Sequence, residues 1–287
     1  MDASVIRPLI EQFLAEDIAG GDITSAAIFT SEQPGEGILV AKDSFVVCGL
    51  VDVAGPVFSV QNPAVEIVEA VEDGGRAAAG DILMRVRGPV VDLLKAERVA
   101  LNLVQRLCGI ATLTAEFVKR VRPLPVRIVD TRKTTPGLRV FEKYAVRAGG
   151  GQNHRMNLSD GILIKDNHIA ACGSIKTAVE RVRAKKPHTL QIEVETADLQ
   201  QVEECLAAGV DIIMLDNMEI ATMRQAVQLV AGRALIEASG GVRLENVRAI
   251  AETGVDIISI GALTHSAPAV DISMRIVEGG RPRGQKK

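Results

Sequence analysis

The sequence predicts an α/β protein: a six-stranded α/β barrel preceded by a smaller α+β module. Apolar, β-branched runs recur at 126–129, 162–164, 190–194, 212–215, 235–236 and 257–260. Helical patterns alternate with them at 137–148, 174–185, 197–208, 219–230, 243–252 and 268–277. Strands that are apolar on both faces and separated by helices predict a parallel sheet with crossover connections. Six units in this space suggest a barrel, closed or slightly open, with fewer strands than the eight-fold form. The alternative, a doubly wound open sheet, lacks a G-x-G-x-x-G after any strand.

Before residue 90 the elements are short and mixed. The spacing predicts a helix over 6–14 and strands over 37–41, 45–47, 65–71 and 82–86, separated by turns such as Asp73-Gly74-Gly75 and Gly80-Asp81. Gly88-Pro89 then opens a helical stretch to about residue 121, with proline where a first turn tolerates it. Arg98, Asn102, Gln105 and Gly109 form a polar stripe on it, and Gly109 marks a candidate break. The resulting division is 1–108, an N-terminal domain; 109–265, the barrel; and 266–287, a C-terminal helix and basic tail.

Charge and composition narrow the function. The 287 residues carry a net charge of -3, with six Phe, one Tyr and no Trp. That balance argues against a nucleic-acid or membrane-surface binder, and so few rings exclude a base-stacking platform. Cys48, Cys108, Cys172 and Cys205 form no C-x-x-C pair, which points to free thiols. Without an 18-residue apolar run or a signal-like start, a soluble cytoplasmic protein is expected.

The chemistry is expected where barrel strands end. The six ends read Asp130 to Lys133, Lys165 to His168, Glu195, Asp216-Asn217, Ser239-Gly240-Gly241 and Gly261-Ala262. From Arg127 to Lys165 there are eight basic and three acidic residues, a local charge of +5 that leaves -8 for the rest of the chain. On a helix, Arg139, Lys143 and Arg147 suit a solvated face, whereas Arg132, Lys133 and Lys165 at strand ends suit a polyanionic small molecule. Ser239-Gly240-Gly241, ahead of a helix expected near residue 244, suits a phosphate, with Gly261-Ala262 beside it. Glu195 and Asp216 suit acid–base work, Mg2+ ligation, sugar hydroxyls or simple charge balance.

Several stretches together carry a resemblance. D-T-R-K-T-T-P-G-L-R from Asp130, K-Y-A-V-R-A-G-G-G-x-N-H-R from Lys143 and L-I-K-D-N-H-I from Leu163 are similar to the quinolinate phosphoribosyltransferase family. A-E-R-V-A-L-N-L-V-Q-R-L-C-G-I-A-T from Ala96, L-D-N-M from Leu215 and E-A-S-G-G from Glu237 resemble it too. The resemblance implies an N-terminal α/β sandwich and a six-stranded barrel of the type II phosphoribosyltransferases. The implied reaction joins quinolinate and phosphoribosyl pyrophosphate, with Mg2+, to give nicotinate mononucleotide, pyrophosphate and CO2 in NAD biosynthesis.

By the same resemblance, Arg98, Thr131, Arg132, Lys133, His154, Arg155 and Lys165 bind quinolinate or pyrophosphate, with Arg98 donated across a homodimer, and with a hexamer of dimers left open as a further assembly. Glu195 and Asp216 meet the ribose hydroxyls and Mg2+, directly or through substrate, and join Lys133 as catalytic residues. Ser239, Gly240, Gly241, Gly261 and Ala262 hold the 5'-phosphate. Two rival enzymes remain: a molybdate-operon paralogue, which usually lacks K-D-N-H, and a Schiff-base aldolase using a strand-end lysine. A non-catalytic rival is a barrel that only senses a phosphorylated metabolite.

Overall fold

The computed structural model describes residues 1–277. In chain order the strands are β1 (Pro34–Ala41), β2 (Phe45–Val46), β3 (Glu66–Ala70), β4 (Arg76–Ala77), β5 (Ile82–Pro89), β6 (Arg127–Val129), β7 (Ile162–Ile164), β8 (Ile192–Thr196), β9 (Ile212–Asp216), β10 (Leu235–Ser239), β11 (Ile257–Ser259) and β12 (Ile272–Val277). They fall into two compact units. The first holds Met1–Leu113, Pro136–Gly150 and the described residues from Ala267; the second holds Thr114–Thr135 and Gly151–Ser266.

In the first unit the sheet order is β12-β1-β5-β3, antiparallel throughout. The helix Ala3–Ile18 buries Ile6, Ile10 and Leu14, the stripe its spacing dictates, and the Asp2 side chain accepts from Ser4 N–H at its start. The helix Gly55–Gln61 was not legible in the sequence, because this segment buries Gly55, Val57 and Phe58 without a clean period.

Three expectations are corrected in this unit. The stretch 268–277, expected as a helix, ends in strand β12, paired with β1 from Glu36↔Val277 to Ala41↔Ile272. The basic tail after residue 277 lies outside the described residues. The helix Val90–Val121 is continuous through Gly109, which serves a close approach instead of a break: a Cβ there would meet Pro268 O at 1.9 Å. The same helix uses Gln105 to hold the incoming strand, its side-chain amide donating to Ile272 O at 2.8 Å and its backbone carbonyl accepting from Val270 N–H.

The third correction concerns the helix Arg139–Ala148, which belongs to the first unit and not to the barrel. The solvated face expected there holds for the exposed Arg147 only: Arg139 is half-buried, Glu142 and Lys143 are fully buried, and Glu142 is bound by Arg106 at 2.6 Å. Burial of such charges is tolerated only when they are paired.

The second unit is a six-stranded parallel sheet in the order β6-β11-β10-β9-β8-β7. Its turns into β9 and β11 use one device twice. In Gly209-Val210-Asp211 and Gly254-Val255-Asp256, glycine takes positive φ (66° and 95°) and the aspartate accepts an N–H at the start of the neighbouring strand, from Ile192 or Ile236. The sheet curls until the C-terminal ends of its strands face one cavity, but it does not close. Among the described residues β6 and β7 share no ladder, because Gln152 occupies the edge of β6: it bridges Val129, donates to Ile128 O and accepts from Asp130 N–H. The architecture is therefore an open, curled six-stranded sheet where a barrel was expected.

Candidate active site

The cavity at the C-terminal strand ends measures about 560 Å³ and is lined by Thr131, Arg132, Lys133, His154, Arg155, Lys165, Glu195, Asp216, Ser239, Gly240 and Gly241. Eleven of the fourteen residues expected to bind substrate thus line a single space. Parallel register explains the convergence: Ser239 pairs with Asp216 and Glu195 with Met214, so successive strands end at nearly one level. Gly261 sits against this group, since a Cβ on it would lie 3.0 Å from Lys133 Cδ. Ala262 opens the short helix Ala262–His265 next to it. Arg98 is exposed on the helix Val90–Val121 in the first unit.

Lys133 and Lys165 are held through their backbones, and Arg155 through its guanidinium. Lys133 N–H donates to Thr131 Oγ1 at 3.0 Å, and the buried Thr264 hydroxyl donates to Lys133 O at 2.8 Å. This leaves the Lys133 ammonium at the open rim. Lys165 Nζ lies 3.4 Å from Glu195 Oε2, and its backbone N–H donates to His168 Nδ1, which fixes the entry into the helix Asp166–Cys172. Arg155 Nη1 donates to Gly161 O at 2.8 Å. Burial, reinforced by Arg132, holds the Arg155 pKa below its ordinary value, with Glu193 opposing.

The glycines have a steric reason. Gly240 has φ +89, and a Cβ on it would lie 2.2 Å from Asn217 Oδ1; Asn217 is itself left-handed at φ 54. Asn217 N–H donates to Ser239 O and its side chain to Asp216 Oδ2, so it ties two strand ends together. The helix expected near residue 244 begins instead at Val247 and has only five residues. A phosphate here would rest on the loop amides of Gly240 and Gly241, without a helix terminus.

Sequence reasoning missed a deeper layer. Glu193 and Glu237 lie on β8 and β10, two residues before Glu195 and Ser239, and are 4% and 2% exposed. His154 Nε2 lies 3.1 Å from Glu193 Oε2 and 3.7 Å from Glu237 Oε2. Burial first, and Glu193 second, push the Glu237 carboxyl up to about 7. The available signal was the period of two along each strand, which places i−2 residues on the same face as the strand end. A second cavity, about 620 Å³, opens mainly at the N-terminal strand ends and shares His154, Arg155 and Glu237 with the first. It is the larger, but it lacks the convergent strand-end cations and glycines.

With this geometry in view, the likeness to known proteins covers both units. The profile described as quinolinate phosphoribosyl transferase, C-terminal domain, matches residues 110–275, and the N-terminal domain profile matches 22–108. The chain belongs to the quinolinate phosphoribosyltransferase family. It is 46% identical over 271 residues to the probable nicotinate-nucleotide pyrophosphorylase [carboxylating] of Bacillus subtilis (94% of this chain, 93% of that one). It is 44% identical over 276 residues to the nicotinate-nucleotide pyrophosphorylase [carboxylating] of Mycobacterium leprae (93% and 96%). Among solved structures, NadC from Streptococcus pyogenes matches with a TM-score of 0.92 at 42% identity, covering 97% of this chain and 98% of the other.

Among the cations of the basic segment, Arg132, Lys133, Arg155 and Lys165 line the cavity in the second unit, whereas Arg139, Lys143 and Arg147 belong to the first. The thiols take no part. Cys48, Cys108 and Cys205 are buried, and burial pushes Cys108 and Cys205 up to about 12. Among the described residues, no helix is long and apolar enough to cross a membrane.

Proposed function

We propose that this chain transfers the phosphoribosyl group of phosphoribosyl pyrophosphate to quinolinate with loss of CO2, giving nicotinate mononucleotide and pyrophosphate for NAD biosynthesis. The observation that carries this reading is the single cavity in which Arg132, Lys133, Arg155 and Lys165 face Glu195 and Asp216 across a glycine-bearing rim. Quinolinate is a dianion and its co-substrate carries several further negative charges. A site for both needs paired guanidiniums, which suit carboxylates, and ammonium groups, which suit phosphate oxygens.

In this reading Arg132, Arg155 and His154 orient quinolinate, with Thr131 and Lys165 at its edge. Lys133 meets the departing pyrophosphate, and Ser239, Gly240, Gly241, Gly261 and Ala262 seat the 5'-phosphate. Breaking the C1–O bond builds positive character on the ribose, which Glu195 and Asp216 stabilise while accepting from its hydroxyls. The quinolinate ring nitrogen then bonds to C1 and becomes cationic. The C2 carboxylate leaves as CO2, its bonding electrons are held next to that nitrogen, and C2 takes a proton.

Glu195 and Asp216, hard oxygen donors on one cavity wall, fit Mg2+. Mg2+ held there would neutralise charge on the departing group. We further propose a cytoplasmic homodimer in which Arg98 completes the partner's site, with no nucleic-acid or membrane partner.

The test is purified protein with quinolinate, phosphoribosyl pyrophosphate and Mg2+, assayed for nicotinate mononucleotide with nicotinate as control. Product from quinolinate alone is expected; equal turnover of nicotinate, or no product, overturns the reading. For the dimer, mixing Arg98→Ala with Lys133→Ala protein is expected to restore activity after subunit exchange. No rescue after verified exchange removes Arg98 from the shared site.

A further inference from the structure

The segment 153–155 is held at several points by buried carboxylates. Asp130, fully buried, accepts from the Asn153 side chain at 2.6 Å and from His154 N–H at 2.9 Å. The His154 ring accepts from Arg155 N–H through Nδ1 at 2.7 Å, so its hydrogen lies on Nε2, which points at Glu193 and Glu237. Both ring nitrogens are thus engaged by the protein, although the ring lines the cavity.

What this segment carries is Arg155, and Arg155 has a difficulty. It stands close enough to Arg132 for the two charges to oppose each other, and burial opposes its charge as well. Two guanidiniums gathered for a dianion repel one another until the dianion arrives, so an anion behind them is needed to keep the pair assembled. Glu193, which lines one cavity with Arg155 and is itself anchored by His154, is the anion placed to supply that attraction.

We propose that Glu193 and Glu237 are positioning residues for dicarboxylate binding: through His154 they seat the 153–155 segment, and Glu193 holds Arg155 beside Arg132 before substrate arrives. This rests on the reading that Arg132 and Arg155 receive quinolinate. The rival is a cation site, because the three ligand atoms lie within 4.8 Å of one another. Arg127 and Arg155 already face the carboxylates, so their charge is offset without a metal.

The experiment compares wild type, Glu193→Gln, Glu237→Gln and Arg155→Ala in steady-state kinetics, thermal unfolding and metal analysis. Both Gln variants keep the side-chain shape; Glu193→Gln removes the charge beside Glu237, and Glu237→Gln replaces a carboxyl that already holds its proton up to about 7. The melting temperature is therefore expected to hold or rise. KM for quinolinate is expected to rise about tenfold, the scale of one lost hydrogen bond to a charged group, with KM for phosphoribosyl pyrophosphate within about twofold. Unchanged quinolinate KM in both Gln variants overturns the proposal. So does a parallel rise in both KM values with a falling melting temperature, which marks a purely structural role. Stoichiometric metal that survives dialysis of wild type and is lost from the Gln variants establishes the rival. Wild-type quinolinate KM in Arg155→Ala overturns the underlying site reading instead.

Discussion

Two depths of the same strands carry carboxylates with different fates. At the rim, Glu195 sits 3.4 Å from a half-exposed Lys165. Two residues deeper on the same strand, Glu193 is almost wholly buried and faces His154 and a second buried carboxylate, Glu237. Water and ligands answer for charge at the rim, so a rim residue is free to serve substrate. In the low-dielectric interior the protein must answer for it, and the deep residues are committed to one another. The alternation of side chains puts both layers on one face, and burial alone separates their roles.

The largest effect expected is at the rim. Lys133→Ala should lower kcat/KM by about 3 kcal/mol or more, over a hundredfold, because an ion pair to bound substrate is lost. Its melting temperature should stay within a few degrees, since the exposed ammonium adds little to folding. Near-normal turnover would break the rim's assignment to substrate.

Gly240→Ala should come next, because it injures both folding and binding. The backbone at φ +89 and the 2.2 Å approach to Asn217 Oδ1 predict a loss of about 1–3 kcal/mol in stability and a weaker grip on phosphoribosyl pyrophosphate. Denaturant melts and KM for that substrate measure the two parts separately.

A smaller effect concerns pH and belongs to the deep layer. Glu237, faced by Glu193, His154, Ser259 and Arg127, holds its proton up to about 7 when folded, against an ordinary 4.5. The folded state therefore binds more protons than the unfolded chain between those values, and this group's contribution to stability falls as pH rises from about 4.5 through about 7. Glu237→Gln should flatten that part of the stability–pH curve; an unchanged slope would show that the proton is not held there. Smallest of all, Lys165→Gln should change stability by less than about 1 kcal/mol, as for other exposed pairs, while still impairing catalysis.

Most of the rim was legible from sequence because strand ends are readable: an apolar run stops, and the next residue is charged or glycine. The deep pair was not. Glu193 sits inside a run that reads as ordinary strand and Glu237 just past one that reads as stopping at residue 236; the period of two puts each on the same face as its strand end, but burial and the pairing with His154 are not local properties. Asn217 was noticed only as a neighbour of Asp216, whereas its left-handed backbone and its clash with any Cβ at residue 240 show why Gly240 must be glycine. The stretch 268–277 misled for the opposite reason: its residues suit a helix on periodicity, but β1 offered an open edge that the chain fills.

The sequence by itself determined the class of fold, the alternation of strands and helices in the second unit, and the ring of cations and carboxylates, because each is written in local periodicity and in what interrupts it. Only the tertiary structure decided that the six-stranded sheet stays open where Gln152 takes the edge of β6, that Arg139–Ala148 and β12 belong to the first unit, and that Glu193 and Glu237 meet His154. These outcomes depend on which backbone edge and which buried charge find partners far along the chain. Such pairings are settled by the free energy of the assembled fold, not by the neighbours of any one residue.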